Sequence, residues 1–389
     1  MMMEPKIRLK GFSGEWNTQQ IGDIATFSKG RGYSKADLCS EGNPIILYGS
    51  MYTNYSSVID DVMTFAPIHD GATFSKGNEV IIPASGETPE DIAIASAVKQ
   101  KDVILGGDIN IVNFDKEFEP AFMALTISNG KTHYELSRYA QGKTIVHLHN
   151  TEIAKGTISA PSLPEQRALA TFFTSLDNQI SAAEKRLASL KQVKAASLQA
   201  MFPQEGETTP KLRFKGCEGE WKKGFIKDYC KITTGKSNTQ DKVENGKYPF
   251  FIRSEEVQRS NKYLYDCEAV ITIGDGNIGK VFHYINGKFD LHQRCYMMYD
   301  FKGIDVKYFY RYFSTFFYDR AIKMSAKATV DSVRLDMISD MEILYPESES
   351  EQRQIASYFT ALDRQISSQS SKISKLKQIK SACLDQMFV

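Results

Sequence analysis

Apolar residues recur at alternating steps of four and three through two stretches of the chain. In the first they are Leu169, Phe173, Leu176, Ile180, Ala183, Leu187 and Leu190. In the second, Ile355, Phe359, Leu362, Ile366, Gln369, Ile373 and Leu376 keep the same spacing, with Gln369 the one polar member. That period places the side chains on one stripe of a helix, the seam of a coiled coil. No glycine or proline interrupts either stretch, and Pro203 stops the first just after Phe202. At 1.5 Å per residue, a helix of about 37 residues is a rod of about 55 Å. Such a rod outruns one small domain and needs a partner helix.

Elsewhere the pattern changes. Runs rich in β-branched and aromatic residues at 44–48, 79–82, 109–114, 269–273 and 280–285 read as strands. Helices are expected around 119–128 and, rich in aromatics, around 305–322. Many short strands with glycine-rich turns and few helices predict an α+β class, with two mixed heads. The expected segments are head one at 1–160, the first long helix and linker at 161–204, head two at 205–346, and the second long helix at 347–389.

The chain repeats itself. Residues 5–16, PKIRLKGFSGEW, and 210–221, PKLRFKGCEGEW, are identical at eight of twelve positions, and the only two tryptophans, Trp16 and Trp221, share a slot. The helical blocks 165–202 and 351–388 are identical at 19 of 38 positions without a gap. The first offset is 205 residues and the second 186, so the second middle is 19 residues shorter, and the two middles are scarcely alike. Drift alone would spare core strands, so a fixed frame carrying two exchangeable readers fits better than an eroded duplication. The linker 203–210 is short, so head two begins at the far end of the first helix and the second helix must run back. The predicted pair is antiparallel and internal, giving a pseudo-two-fold layout; a plain dimerisation coiled coil is the alternative.

Forty-eight basic and 47 acidic residues leave a net charge of +1, so no overall field marks a nucleic acid or membrane partner. Head one holds 14 basic and 19 acidic residues, net −5, and head two 23 and 20, net +3. A negative head argues against binding driven by phosphates alone. No apolar run reaches the length of a membrane span, and the opening Met1-Met2-Met3-Glu4-Pro5-Lys6 has no apolar region of a secretory signal, so a soluble, cytoplasmic protein is expected. Six scattered cysteines without a Cys-x-x-Cys pair read as reduced thiols. His147 and His149 share a strand face, but no third ligand accompanies them, and no metal site is expected.

Gly274-Asp275-Gly276-Asn277-Ile278-Gly279-Lys280 satisfies G-x-G-x-x-G and follows a strand. Val281 stands where a P-loop needs Ser or Thr, and a strand-like run follows instead of a helix, so no helix N-terminus would cradle phosphate. The segment reads as a hairpin. Neither G-x-S-x-G nor H-E-x-x-H occurs, the Asp/Asn-Pro-Pro-aromatic loop of amino-methyltransferases is missing, and Asp60, Asp61 and Glu87 read as solvated loop carboxylates. No catalytic residue is expected.

Base reading needs polar and cationic side chains on loops. Head one offers Arg31, Tyr33, Ser34, Lys35, Tyr48, Ser50, Tyr52, Lys143 and Thr144. Head two offers Arg253, Ser254, Arg259, Lys262, His292, Arg294, Lys327 and Thr329.

The whole layout resembles the specificity subunit of type I restriction–modification systems: a GEW-type opening, a variable region and a P-x-L-P-E-Q-R helix, then all three again. The first copy reads Pro161-Ser162-Leu163-Pro164-Glu165-Gln166-Arg167, whereas Pro346-Glu347-Ser348-Glu349-Ser350-Glu351-Gln352-Arg353 is one residue longer and lacks the second proline. The resemblance implies that each variable region is a target recognition domain for half of a bipartite double-stranded DNA sequence. It implies that the helices set the spacer and dock two methyltransferase subunits, which N6-methylate adenine. S-adenosylmethionine and ATP would then sit on partner subunits, ATP-dependent restriction subunits can join, and this chain binds no cofactor. A coiled-coil scaffold for proteins, and a nucleotide-binding enzyme using residues 274–280, are the competing readings.

Overall fold

The computed structural model describes residues 4–142, 144–325 and 332–388. They form two compact units: one runs up to Lys185 and resumes at Ser370, and the other is Arg186–Gln369. Each unit takes in a part of both long helices, which run over Leu163–Met201 and Glu349–Met387.

In the first unit a five-stranded sheet has the order Ala25–Lys29, Ile109–Phe114, Glu79–Pro83, Ser96–Val98, Val58–Ile59. Glu79–Pro83 is buried throughout, because both sheet faces are covered. Alternation sends Val80, Ile82 and Val112 to the main core and Ile81, Ile109 and Ile111 to a smaller one behind. The helix Pro120–Ile127 is apolar but for Thr126, whose hydroxyl donates to Phe122 O, and it is wholly buried from Ala121 onward, as that composition requires. The charged, amphipathic helix Gly130–Tyr139, which the sequence pattern did not announce, packs beside it.

In the second unit a six-stranded sheet runs Lys231–Thr234, Cys295–Tyr299, Tyr265–Ile273, Phe282–Leu291, Tyr248–Phe251, Gln258–Ser260. Val270 and Met298 face the main core, while Ala269, Ile271, Ile273 and Met297 face the second. The helix Val306–Ser325 buries Tyr308, Tyr312, Phe309, Phe313, Phe317 and Ala321, all at steps of four, in that main core.

The repeated sequence blocks build the same frame in each unit. Arg8 donates from Nε and Nη2 to the Glu165 carboxylate, 2.7 Å each, and Arg213 does so to Glu351 at 2.9 and 2.7 Å. Both arginines also hold the carbonyl of the turn glycine, Gly14 or Gly219. Gln166 donates to the Pro161 carbonyl (2.9 Å) and accepts from the Glu119 amide (2.9 Å). Gln352 repeats this with Pro346 (2.8 Å) and Asp305 (2.7 Å), so the longer second turn is absorbed without loss of the bond. A phenylalanine after each helix closes the core: Phe388 against Trp16, Phe122 and Phe173, and Phe202 against Trp221, Tyr308 and Phe359.

The long helices pair antiparallel inside each unit. In the first, Asp177 bonds Lys380 and Glu184 bonds Lys377, so residue numbers rise on one helix as they fall on the other. In the second, Lys194 bonds Asp363 (2.7 Å) and Ser197 meets the Tyr358 hydroxyl (2.9 Å). Leu169, Phe173, Leu176, Ile180, Ile355, Phe359, Leu362 and Ile373 are buried. Leu187, Leu190, Ile366 and Leu376 are half-buried, as expected where only two helices share a seam. Among the described residues no helix is long and apolar enough to cross a membrane.

Candidate nucleic-acid interface

The loops that follow the sheet strands converge in each unit, and backbone hydrogen bonds lock them. In the first, the Arg31 amide donates to Leu105 O (3.2 Å), Gly106 to Ile46 O (2.9 Å) and Gly107 to Gly32 O (2.7 Å). Gly30 is required there, since a Cβ would lie 1.9 Å from Gly106 O. Beside this knot Tyr48, Gly49, Tyr52, Ser85, Glu87 and Ile145 line a cleft of about 570 Å³. The Tyr52 hydroxyl donates to Ser85 O (2.8 Å), and burial pushes its pKa upward. Arg31, Tyr48 and Thr144 are exposed here.

Three other sequence candidates of this unit have local duties. The Tyr33 ring packs on the small cluster of Ile45, Ala66 and Ile104, and its hydroxyl accepts from the His69 amide (2.8 Å). Ser34 caps the short turn Lys35–Asp37, where Asp37 is held below its ordinary range chiefly by the Ser34 amide. Ser50 donates to Leu47 O (2.7 Å). Lys35 is exposed within that turn. His147 and His149 stack at 6.1 Å, with His147 Nδ1 against Ser85 Oγ (3.1 Å).

In the second unit the segments after Thr234, Phe251, Ile273 and Leu291 meet. Lys236 and Ser237 donate to Leu291 O (3.1 Å each), His292 to Phe251 O (2.9 Å), Gln293 to Ser237 O (2.9 Å) and Gly274 to Arg294 O (2.7 Å). The residues 274–281 connect antiparallel strands, with Thr272 opposite Phe282, so they form a hairpin loop that is not followed by a helix. Within the cluster Arg253 and Arg294 both bind the Asp275 carboxylate, at 3.2 and 2.7 Å. Burial raises the Asp275 pKa, but the hydrogen bonds and charges of the two guanidiniums outweigh it and hold the carboxyl below its usual range. His292 is buried; that burial, then the Arg253 charge, keeps its pKa low, and its neutral Nδ1 accepts from the Arg294 amide (3.1 Å). Ser254 Oγ accepts from the Glu256 amide (3.0 Å).

Arg259 and Lys262 are not part of this cluster. Arg259 donates to the carbonyls of Gly246 and Lys247, 2.9 Å each, and Lys262 pairs with Asp241 (3.2 Å). Arg259 lies on Gln258–Ser260, an edge strand of the sheet, and the carbonyls just before the neighbouring strand Tyr248–Phe251 satisfy its guanidinium. Lys143, Lys327 and Thr329 lie outside the described residues. Asp275 escaped the sequence reading because it occupied a variable position of a glycine motif; its two partners are 22 and 19 residues away.

The frame, the paired helices and the two unlike heads match known proteins. Residues 13–192 and 218–378, most of the chain, match the family described as the type I restriction modification DNA specificity domain. A stretch of 161 residues is 28% identical to the type I restriction enzyme EcoDI specificity subunit of Escherichia coli; it covers 41% of this chain and 35% of that one, so the chain spans about a third of that relative. The crystal structure of the type I restriction–modification system S subunit from M. genitalium shares the fold, with a TM-score of 0.72 over 100% of this chain and 99% of that one at 14% identity. With its frame duplicated and both copies matched, the chain belongs to the family of type I restriction modification DNA specificity domains.

Proposed function

We propose that this chain is the sequence-recognition subunit of a type I restriction–modification complex. Each head reads one half of a bipartite duplex sequence, and the long helices set the unread gap. The chain performs no chemistry; two methyltransferase subunits, carrying S-adenosylmethionine, methylate adenine N6 on its instruction, and ATP-dependent restriction subunits can join them. The observation that carries this reading is one frame built twice around unlike heads. A subunit meant to read two different half-sites with equivalent partners requires that combination.

A duplicated groove supports two equivalent docking positions. In the first unit Glu119, Arg167, Ala170 and Thr171 line it, and in the second Asp305, Arg353, Ala356 and Ser357 do. The heads differ in charge, −5 against +3, so their DNA contacts rest on placed side chains more than on a common phosphate attraction.

The test is a methylation map. The chain is expressed with the methyltransferase encoded beside it in a methylation-free host, and N6-methyladenine is located by single-molecule sequencing with and without the chain. A two-part motif with a fixed gap, present only with the chain, is the expected result. Methylation that is absent despite complex formation, or unchanged without the chain, would favour a protein scaffold instead.

A further inference from the structure

The 274–280 loop of the second unit sets one carboxylate between two partly exposed arginines. Gly274 places the loop against the turn that carries Arg294: its amide donates to Arg294 O (2.7 Å), and its own carbonyl accepts from Val333 (2.7 Å). A Cβ on Gly274 would sit 2.6 Å from Arg294 O, so only glycine permits this approach. The next residue, Asp275, is thereby aimed between two guanidiniums, and its side chain is only 17% exposed.

Arg294 is anchored three times. Its amide donates to His292 Nδ1 (3.1 Å), its carbonyl is held by Gly274, and its Nη1 donates to Asp275 (2.7 Å). Yet 63% of the side chain stays exposed, and one nitrogen of the guanidinium satisfies the carboxylate. The remaining N–H groups form a planar fork whose orientation is fixed before any ligand arrives. Arg253, 45% exposed, shares the same carboxylate through Nη1.

This arrangement suits a base edge better than a phosphate. A phosphate contact needs charge and tolerates a loose side chain, and a neighbouring carboxylate opposes it. Guanine offers O6 and N7, two acceptors at fixed separation, and a tethered fork matches them with its rotamer freedom already spent. We propose that Arg294 reads a guanine in the half-site of the second unit, with Asp275 as its positioning residue and Arg253 as the second arm of the reader. The inference rests on the function proposed above.

The experiment repeats the methylation map with the full complex and the variants Arg294→Gln, Arg294→Lys, Asp275→Asn and Asp275→Glu. Arg294→Gln is expected to lower discrimination at one guanine position by roughly ten- to hundred-fold, leaving the other half-site and the gap unchanged. Arg294→Lys keeps the charge without the fork and should behave like Arg294→Gln. Asp275→Asn should relax the same position to a smaller degree, and Asp275→Glu should restore part of it. Thermal unfolding and co-purification with the methyltransferase, both expected to match wild type, separate a reading defect from a folding defect. The proposal is overturned if Arg294→Gln lowers methylation evenly at all sites while Arg294→Lys does not, which marks a phosphate contact. It is equally overturned if both motif halves survive unchanged, or if the altered half-site holds no guanine on either strand. A wild-type complex that yields no bipartite motif removes the functional reading itself, which is a separate result.

Discussion

The Arg213–Glu351 pair gives the sharpest test of how the frame is held. The Glu351 side chain is 2% exposed and Arg213 15%, so neither solvent nor salt screens the pair appreciably. Arg213→Ala removes two hydrogen bonds to the carboxylate and one each to the Gly219 and Glu218 carbonyls. It leaves a buried carboxylate without its cation, a change that costs about 3–5 kcal/mol. In urea, with a slope of about 2–3 kcal/mol/M, the midpoint should fall by about 1–2.5 M. Trp221, packed on Phe202 and Tyr308 in the same core, is a built-in reporter. In a Trp16→Phe background it is the only tryptophan, so fluorescence then follows the second unit alone. Replacing both partners by Met removes the charge together with its counter-charge, and should recover most of the loss, to within about 1 kcal/mol of the parent. A loss below about 1 kcal/mol for Arg213→Ala, or an equal loss in the double variant, would refute the argument that an uncompensated buried charge dominates. A loss that vanishes in 0.5 M salt (on the order of a 4 Å Debye length) would refute it too.

Further tests address the core, pH and geometry. Phe202→Ala should destabilise the second unit by about 3–5 kcal/mol, and Phe388→Ala the first by a similar amount, each read from the tryptophan of its own unit. His283 and His292 both have pKa values held below 6.5, first of all by burial. Their unfolded forms therefore take up protons first, so the second unit should lose stability as pH falls from about 6.5 through the folded values. His292→Asn, which keeps an acceptor near Nδ1, should flatten that dependence in urea titrations at pH 5 and 7.5. Deleting seven residues from the middle of each long helix shortens it by about 10 Å, so the methylated motif should keep both half-sites and lose about three base pairs of gap. An unchanged gap would show that the helices do not set it.

Much of the frame was legible in the sequence because its information is local. A seam every three or four residues specifies a helix and the face it buries, and Leu169, Phe173, Ile355 and Phe359 are buried as that stripe demands. Two copies of one block need the same partners, so Arg8 and Arg213, with Glu165 and Glu351, form the same pair twice. The helices at 119–128 and 305–322 and the central strands followed from apolar runs that could be accommodated only in a core. The candidate site residues were another matter. Arg253, Arg259 and Arg294 look alike in a sequence, yet two share Asp275 and the third is spent on the carbonyls of Gly246 and Lys247. Tyr33 and Tyr48 are equally plausible readers on paper, but one ring is committed to an apolar cluster and the other is exposed beside a cleft. What separates them is which loop the strand order brings alongside: parallel pairing of Phe250 and Phe251 with Asp290 and Leu291 carries Arg253 to the Arg294 turn. A charge is defined by its nearest opposite charge. When that partner lies some twenty residues away across a sheet, only the tertiary structure decides it.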